Sequence, residues 1–436
     1  MGISLDGLAS GLDTTSLITS LMQVEAIPQT QLKNKSFDVE TMVSALQGLN
    51  TKVATLATQA TAAAKPGGLE LFSAKTSNDK VVATTTATAK TGTIDFSVSK
   101  LAQTQVTVSG KVAAWPYTTM TITSSGKSIT VSPLTSSLDD VVNAVNTAGA
   151  GVTASKVAVG GGEYRLQFAA TASGSAGKFT ISDPGTAFTN AKDAQDAEIQ
   201  LWAGSAAVQT VTSKTNTFTD IIQGVSLQVS ELSAAPVTLT VARDDAEIAK
   251  TASDLVSGLN GVFSLIAGKS AVVSNGTSTS AGIFSGDSTV RDVNQTILSA
   301  ATQPVGTPPR SPSEIGISIT KTGSMEFDGT KFAAALAANP ASVMASVQEI
   351  ASRVAAAATQ GSDKYSGTLT SKITGQQSTI KDLGQRISDW DVRLASRKES
   401  LQRTYSALEV ALSGMKAQSA WLSSQLAGLS SGSSSS

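Results

Sequence analysis

The sequence predicts an α+β, multidomain fold in which antiparallel β-rich domains are inserted between N- and C-terminal helical coiled-coil segments. Three observations predict it. Apolar residues recur every seven positions near both chain ends, segments of apolar/polar alternation recur between residues 75 and 242, and the composition is rich in small residues with only 4 % aromatics. The first pattern is a coiled-coil seam, the second the half-buried face of a strand. The third suits closely packed helices and thin, Thr-rich strands better than one large core.

Taken in order, residues 14 to about 64 read as helix, with Asp13 or Thr14 placed as N-cap and an interruption at Pro28, which suits the first turn of a second helix because its missing N–H has no partner to lose there. Along that helix Leu32, Val39, Leu46, Val53 and Ala60 form one heptad row, and Met42, Leu49, Leu56 and Ala63 the offset row. Segments such as TGTIDFSVSKLAQTQVTVSG, TMTITSSGKSITVSP, YRLQFAA and GVSLQVSELSAAPVTLTVA alternate between Gly, Ser and Pro breaks, as antiparallel strands do. One short helix, SLDDVVNAVNTA from Ser137, interrupts them.

Helical spacing returns from Arg243 to Gly268 and again over Ser288 to Ala301. GISITKTGSMEFDGTKFAAALAANPASV then encodes a strand, a tight turn at Thr322-Gly323, a second strand, a helix capped by Asp328, and a further helix starting at Asn339-Pro340. From Ile373 the positions Ile373, Ile380, Ile387, Leu394, Leu401, Leu408, Met415, Leu422 and Leu429 continue one unbroken apolar row. The matching row is mixed: Leu383, Trp390 and Ala411 are apolar, whereas Gln376, Arg397, Thr404, Gln418 and Gln425 are not. Such a seam needs a partner that tolerates polar residues, and the N-terminal heptad helix, packed antiparallel, is the expected one. The outermost parts, residues 1 to 40 and 401 to 430, are expected to order only on assembly, and the tail 431–436 to be disordered.

The implied division is a 1–40 terminal segment, a 41–74 helix pairing with the C-terminal helices, an inner β domain from 75–110 and 215–242, an outer one from 111–214, a 243–400 helical domain with a β-hairpin, and the 401–430 coiled-coil segment.

Composition excludes most chemistry. A formal charge of −1 provides no basic field for nucleic acid. With no His, Ser-His-Asp catalysis and most zinc and iron sites are lost; with no Cys, so are thiolate nucleophiles and disulfides. The lack of Cys favours the cytosol or an export route that needs a readily unfolded chain. No apolar run approaches the length of a membrane span. There is no Lys or Arg before Lys33, unlike a Sec-type signal, and Asp6 breaks the myristoylation pattern.

The remaining motifs have structural explanations. A Walker loop needs Gly five residues before its Gly-Lys, where this chain holds Thr121, Ala172 and Phe263. Gly160, Gly161 and Gly162 read as a hairpin turn. Asp193, Asp196 and Glu198 lack calcium-loop spacing, while Asp139-Asp140 and Asp244-Asp245 sit at helix starts. Trp390 and Trp421 are read as lying on the terminal seam, as packing residues or interface anchors. No catalytic residue, metal site or cofactor is expected.

GLASGLDTTSLITSLMQVEAIPQTQL resembles the N-terminal signature of the flagellar filament cap (FliD, distal hook-associated protein) family, through Ala9 to Asp13, the Leu21-Met22 pair, Glu25, Pro28 and Leu32. SVSKLAQTQ is similar to the first strand of that family's head. ITVSPLTSSLDDVVNAVNTAGAGVTASKV with YRLQF resembles the flagellin-type insertion motif, and AQDAEIQLWAG with SKTNTFTDIIQGVSLQV the strands that close the head. GSMEFDGTKFAAALAANPASV is similar to the hairpin-helix unit. Trp115-Pro116-Tyr117 and residues 274–280 match nothing assignable.

The resemblance implies a homo-oligomeric cap, often a pentamer, at the flagellum tip. Its heads form a plate, its terminal helices act as legs, and exported flagellin folds beneath it; no enzyme activity is implied. Implied partners are other copies of the chain, flagellin, the flagellar export apparatus and its chaperone, with host glycans or mucin as further ligands of the head. The residues expected to carry leg contacts are Leu12, Leu17, Leu21, Met22, Pro28, Leu32, Trp390, Leu394, Leu401, Leu408, Met415 and Leu422. Another flagellar axial protein, such as flagellin or a junction protein, and a surface adhesin remain alternatives.

Overall fold

A computed structural model describes residues 11, 13–183, 185–233, 235–274, 276 and 278–431. The chain divides into two units, one made of residues 65–251 and the other of the described residues before and after that span.

The helical unit begins with α1 (Thr14–Glu25) and α2 (Ile27–Ala64). Asp13 is the N-cap of α1, its carboxylate accepting the Ser16 N–H at 2.8 Å. Pro28 stands in the first turn of α2, where no intrahelical bond is lost. Both heptad rows of α2 are buried from Leu46 to Ala63, while Leu32, Val39 and Met42 are only half-buried.

In the β unit, the first core is shared by two antiparallel sheets. One is ordered β1 (Phe72–Thr76), β15 (Val237–Arg243), β3 (Gly92–Lys100), β11 (Ala197–Leu201), β12 (Gln209–Ser213); the other is β13 (Thr217–Thr219), β14 (Val225–Val229), β2 (Val81–Thr85). Phe96, Ile199, Leu227 and Leu239 sit at its centre. The second core combines β10 (Phe188–Lys192), β4 (Val106–Ser109), β8 (Glu163–Ala170), β7 (Val152–Gly160) with β6 (Lys127–Val131), β5 (Met120–Ser124), β9 (Phe179–Ser182) and helix α3 (Leu138–Thr147). Ser137 is the N-cap of α3, and the predicted triple-glycine turn closes the β7–β8 hairpin with positive φ at all three glycines.

Strand pairing corrects the division expected between inner and outer β domains. Residues 197–213 belong with the first core, because β11 lies between β3 and β12, and β4 belongs with the second. The chain crosses at one doubly bonded bridge, Gln103 N–H to Gln195 C=O at 2.8 Å and Gln195 N–H to Gln103 C=O at 3.2 Å. Alternation locates strands but is blind to which neighbour each one takes. Trp115, unassigned from sequence, is buried in the second core beside Tyr117 and Phe188.

After β15 follow α4 (Asp245–Ser270), an exposed hairpin of β16 (Val272–Ser274) and β17 (Thr279–Ala281), and α5 (Ser288–Thr302). The predicted hairpin is β18 (Ile317–Ile319) with β19 (Met325–Phe327), its turn carrying Gly323 at φ +83°. Asn260 of α4 binds the Met325 backbone both ways, at 2.7 and 2.8 Å. Then come α6 (Gly329–Ala338), capped by Asp328, α7 (Pro340–Ser362), capped by Asn339, and α8 (Thr368–Ser431).

Candidate assembly surface

The two helices that follow one another at the C-terminal side run antiparallel to α2. Gln348 of α7 reaches the C=O of Ala64 at 3.0 Å, Gly361 packs against Val53, and Gln29 reaches Asp391 of α8 at 2.5 Å. Beyond this, Glu25 of α1 pairs with Arg397 at 3.4 Å. Rising N-terminal numbers thus meet falling C-terminal ones along the whole line. Between α7 and α8 the chain is kinked at Asp363, whose carboxylate accepts from Ser366 N–H and hydroxyl and from Tyr365 N–H. The Ser366 donors foremost, then the Tyr365 N–H, hold that carboxyl below its ordinary range.

This geometry amends two expectations. The partner of the buried half of α2 is α7 as well as α8; α7 is Ala-rich and lacks a long seam, so heptad spacing alone passes over it. Residues 14–25 and 27–40 are helical within a single chain, where α8 packs on both helices and Ile18, Gln29 and Ser36 are buried. Along α8 the helix also continues through residues 400 and 401 without a break.

Cover runs out at both extremities. Advancing from Glu25 back to Thr14 along α1 matches an equal advance on α8 from Arg397 to about residue 408. Thr14, Ile18 and Glu409 are the last buried residues there, and every side chain from Ser413 to Ala427 is exposed.

The expected contact residues divide along this line. Met22, Leu32, Trp390, Leu394 and Leu401 are half-buried inside the chain's own helix pair, Trp390 with the Arg393 guanidinium 4.7 Å from its ring centroid. Leu17, Leu21, Pro28, Leu408, Met415 and Leu422 are exposed, and Leu12 and the tail 432–436 lie outside the described residues.

Heptad counting misses Val24, Ile27, Phe37, Val392, Val410 and Leu426, all largely exposed. Phe37 keeps 68 % of its surface in solvent, and Trp421 61 %. The signal that finds them is an apolar residue off the heptad row, on a helix face that the seam does not account for.

The chemistry open to such a surface is burial of apolar area, with Arg and Trp as anchors. Among the described residues no cluster of acidic side chains is arranged to hold a metal, and no helix is long and apolar enough to cross a membrane.

Known proteins bear on this arrangement. The sequence pattern of the flagellar hook-associated protein 2 C-terminus matches residues 194–417, that of its N-terminus residues 10–105, and the flagellin hook IN motif residues 119–172. Flagellar hook-associated protein 2 of Escherichia coli (strain K12) is 26 % identical over 97 % of this chain and 98 % of its own. B-type flagellar hook-associated protein 2 of Pseudomonas aeruginosa is 27 % identical over 99 % of each. The D1-D2-D3 domains of the flagellar cap protein FliD from Escherichia coli share the fold, with a TM-score of 0.63 at 23 % identity over 76 % of this chain and 99 % of that one. With its C-terminal pattern alone spanning half its length, the chain belongs to the flagellar hook-associated protein 2 family.

Proposed function

We propose that this protein caps the distal end of the bacterial flagellar filament and promotes the folding and insertion of exported flagellin. The observation that carries the reading is the run of exposed apolar side chains on α1, the start of α2 and the last third of α8, in a chain of this family. A seam that is closed near Ala63 and open at Leu422 anchors one end of the helix pair and leaves the other for neighbours.

Several copies assemble through this surface into a ring, often of five, with flagellin as the other partner of the open ends. The polar residues Thr404, Gln418 and Gln425 keep each contact weak enough to be exchanged as subunits are added. The chain reaches the flagellum tip through the flagellar export apparatus, delivered by an export chaperone. Host glycans or mucin are the ligands proposed for exposed head loops. The test is to add purified full-length protein to cells that lack their own cap and leak flagellin monomers: filament growth should resume, and continued leakage with no filaments would refute the reading.

A further inference from the structure

In the second core of the β unit, β9 ends one sheet and β10 ends the other, and among the described residues no strand pairs with the outer edge of either. Between them lies a polar cleft of about 350 Å³ lined by Gln105, Thr107, Thr180, Ile181, Phe188 and Asn190.

The side chain of Gln105, 3 % exposed, already occupies a strand's place there. Its Oε1 accepts the Phe179 N–H at 3.1 Å and its Nε2 donates to the Phe179 C=O at 2.7 Å, the pair of bonds a neighbouring backbone would make. Gln105 Nε2 also reaches Asn190 Oδ1 at 3.3 Å, and Thr107 Oγ1 donates to the same atom at 2.8 Å, so the floor of the cleft is a fixed polar network.

Strand alternation sets what comes next. Phe179 turns its N–H and C=O away from β5, so Ile181, two residues on and opposite Ile122, turns its own the same way, into the cleft. On β10, the Gly110 N–H binds the Ala187 C=O at 2.9 Å, which turns Thr189 toward β4 and leaves the backbone of Asn190 facing outward.

We infer that this cleft accepts a short extended segment of unfolded flagellin, which adds to β9 as a fourth strand by bonding to the N–H and C=O of Ile181 next to the Gln105 amide. Backbone pairing of this kind reads extended conformation instead of sequence, which suits a chain that arrives unfolded. Only one residue of β9 is open beyond Phe179, so the hold is brief. The inference rests on the proposed capping function for the identity of the segment.

The test is amide hydrogen exchange on the full-length protein with and without overlapping synthetic peptides covering flagellin. At least one peptide should slow exchange at Ile181 about tenfold while leaving Thr180, already bonded to β5, unchanged. The variant Ile181→Pro, which lacks the outward N–H, should lose peptide binding, whereas Ile181→Ala, which loses the same core packing but keeps the N–H, should retain it. If no peptide protects Ile181, or if protection appears without peptide and rises with protein concentration, the cleft is not a flagellin site. A wild-type protein that restores filament growth yet binds no peptide refutes the cleft alone; one that binds peptide yet restores no growth refutes the capping function alone.

Discussion

The same substitution at two heptad positions should have opposite consequences. Leu49 of α2 is 0 % exposed, whereas Leu422 of α8 is 55 % exposed. Truncating a fully buried leucine to alanine costs about 3–5 kcal/mol, transfer and cavity together. For a helical unit of roughly 250 residues, at about 2–4 °C per kcal/mol, Leu49→Ala should lower the melting temperature by about 6–20 °C. Leu422→Ala removes only exposed surface from the free chain and should move its stability by no more than about 0.5 kcal/mol. In the assembly, burying the exposed half of that leucine is worth about 1–1.5 kcal/mol, from about 1.5–3 kcal/mol for a whole side chain. Loss of it weakens each contact roughly five- to twelvefold. Calorimetry on dilute protein and sedimentation across a concentration series separate the two effects. If Leu422→Ala melts as early as Leu49→Ala, α8 is covered by its own chain to its end, and if it leaves the concentration dependence untouched, the exposed stripe is not the assembly surface.

Further expectations follow from other parts of the chain. Gly174 has φ +67° and a Cβ there would stand 2.4 Å from Asp196 Oδ1 and from the Lys214 C=O, whereas Gly149, φ +64°, has nothing within 4 Å; on thermal melting Gly149→Ala should cost about 1–2 kcal/mol for its left-handed backbone and Gly174→Ala about 1–3 kcal/mol more for the collision. The Lys100 ammonium, then the Ser99 hydroxyl, hold the Glu198 carboxyl below its ordinary range. Since a depressed carboxylate stabilises the fold above its unfolded pKa and loses that contribution as pH falls through its folded one, Glu198→Gln should be the less stable protein near neutrality, by no more than about 1 kcal/mol, and the difference should vanish in acid melts. Gln29→Ala frees Asp391 from its 2.5 Å bond and should speed hydrogen exchange in residues 14–30 while leaving 46–63 unchanged.

Periodicity made most elements legible because each period reports one local geometry. The period of two gave the β7–β8 hairpin and β3, and Asp13, Ser137, Asp328 and Asn339 all cap the helices their positions suggested. What stayed illegible depends on distant neighbours. Nothing in the alternation of residues 197–201 says that β11 lies beside β3, and Trp115 in an aperiodic segment carries no mark of the core it fills. For the assembly surface, the seam itself was legible from Ile373 to Leu422, but its division into self-covered and open parts was not, because that depends on where α1 stops relative to α8.

That division bears on how a leg can hold and release. A free helix as short as the open stretch 413–427 would be marginal in water, since its first turn must be nucleated at a cost. Here the turn before it is already fixed, because α8 is continuous back to Leu369, buried where the helix begins. Neighbours therefore meet a helix that is already formed, and binding is spared much of the ordering entropy that a disordered segment would lose. Weak apolar contacts such as Met415 and Leu422 can then suffice for assembly, and the same contacts remain cheap to break. Inserting Gly-Gly between Leu412 and Ser413 should uncouple the two: the chain's melting temperature should hold, since the last buried residue on α8 is Glu409, while assembly weakens more than it does for Leu422→Ala. Equal assembly by the insertion variant would show that a preformed helix is not what the neighbours require.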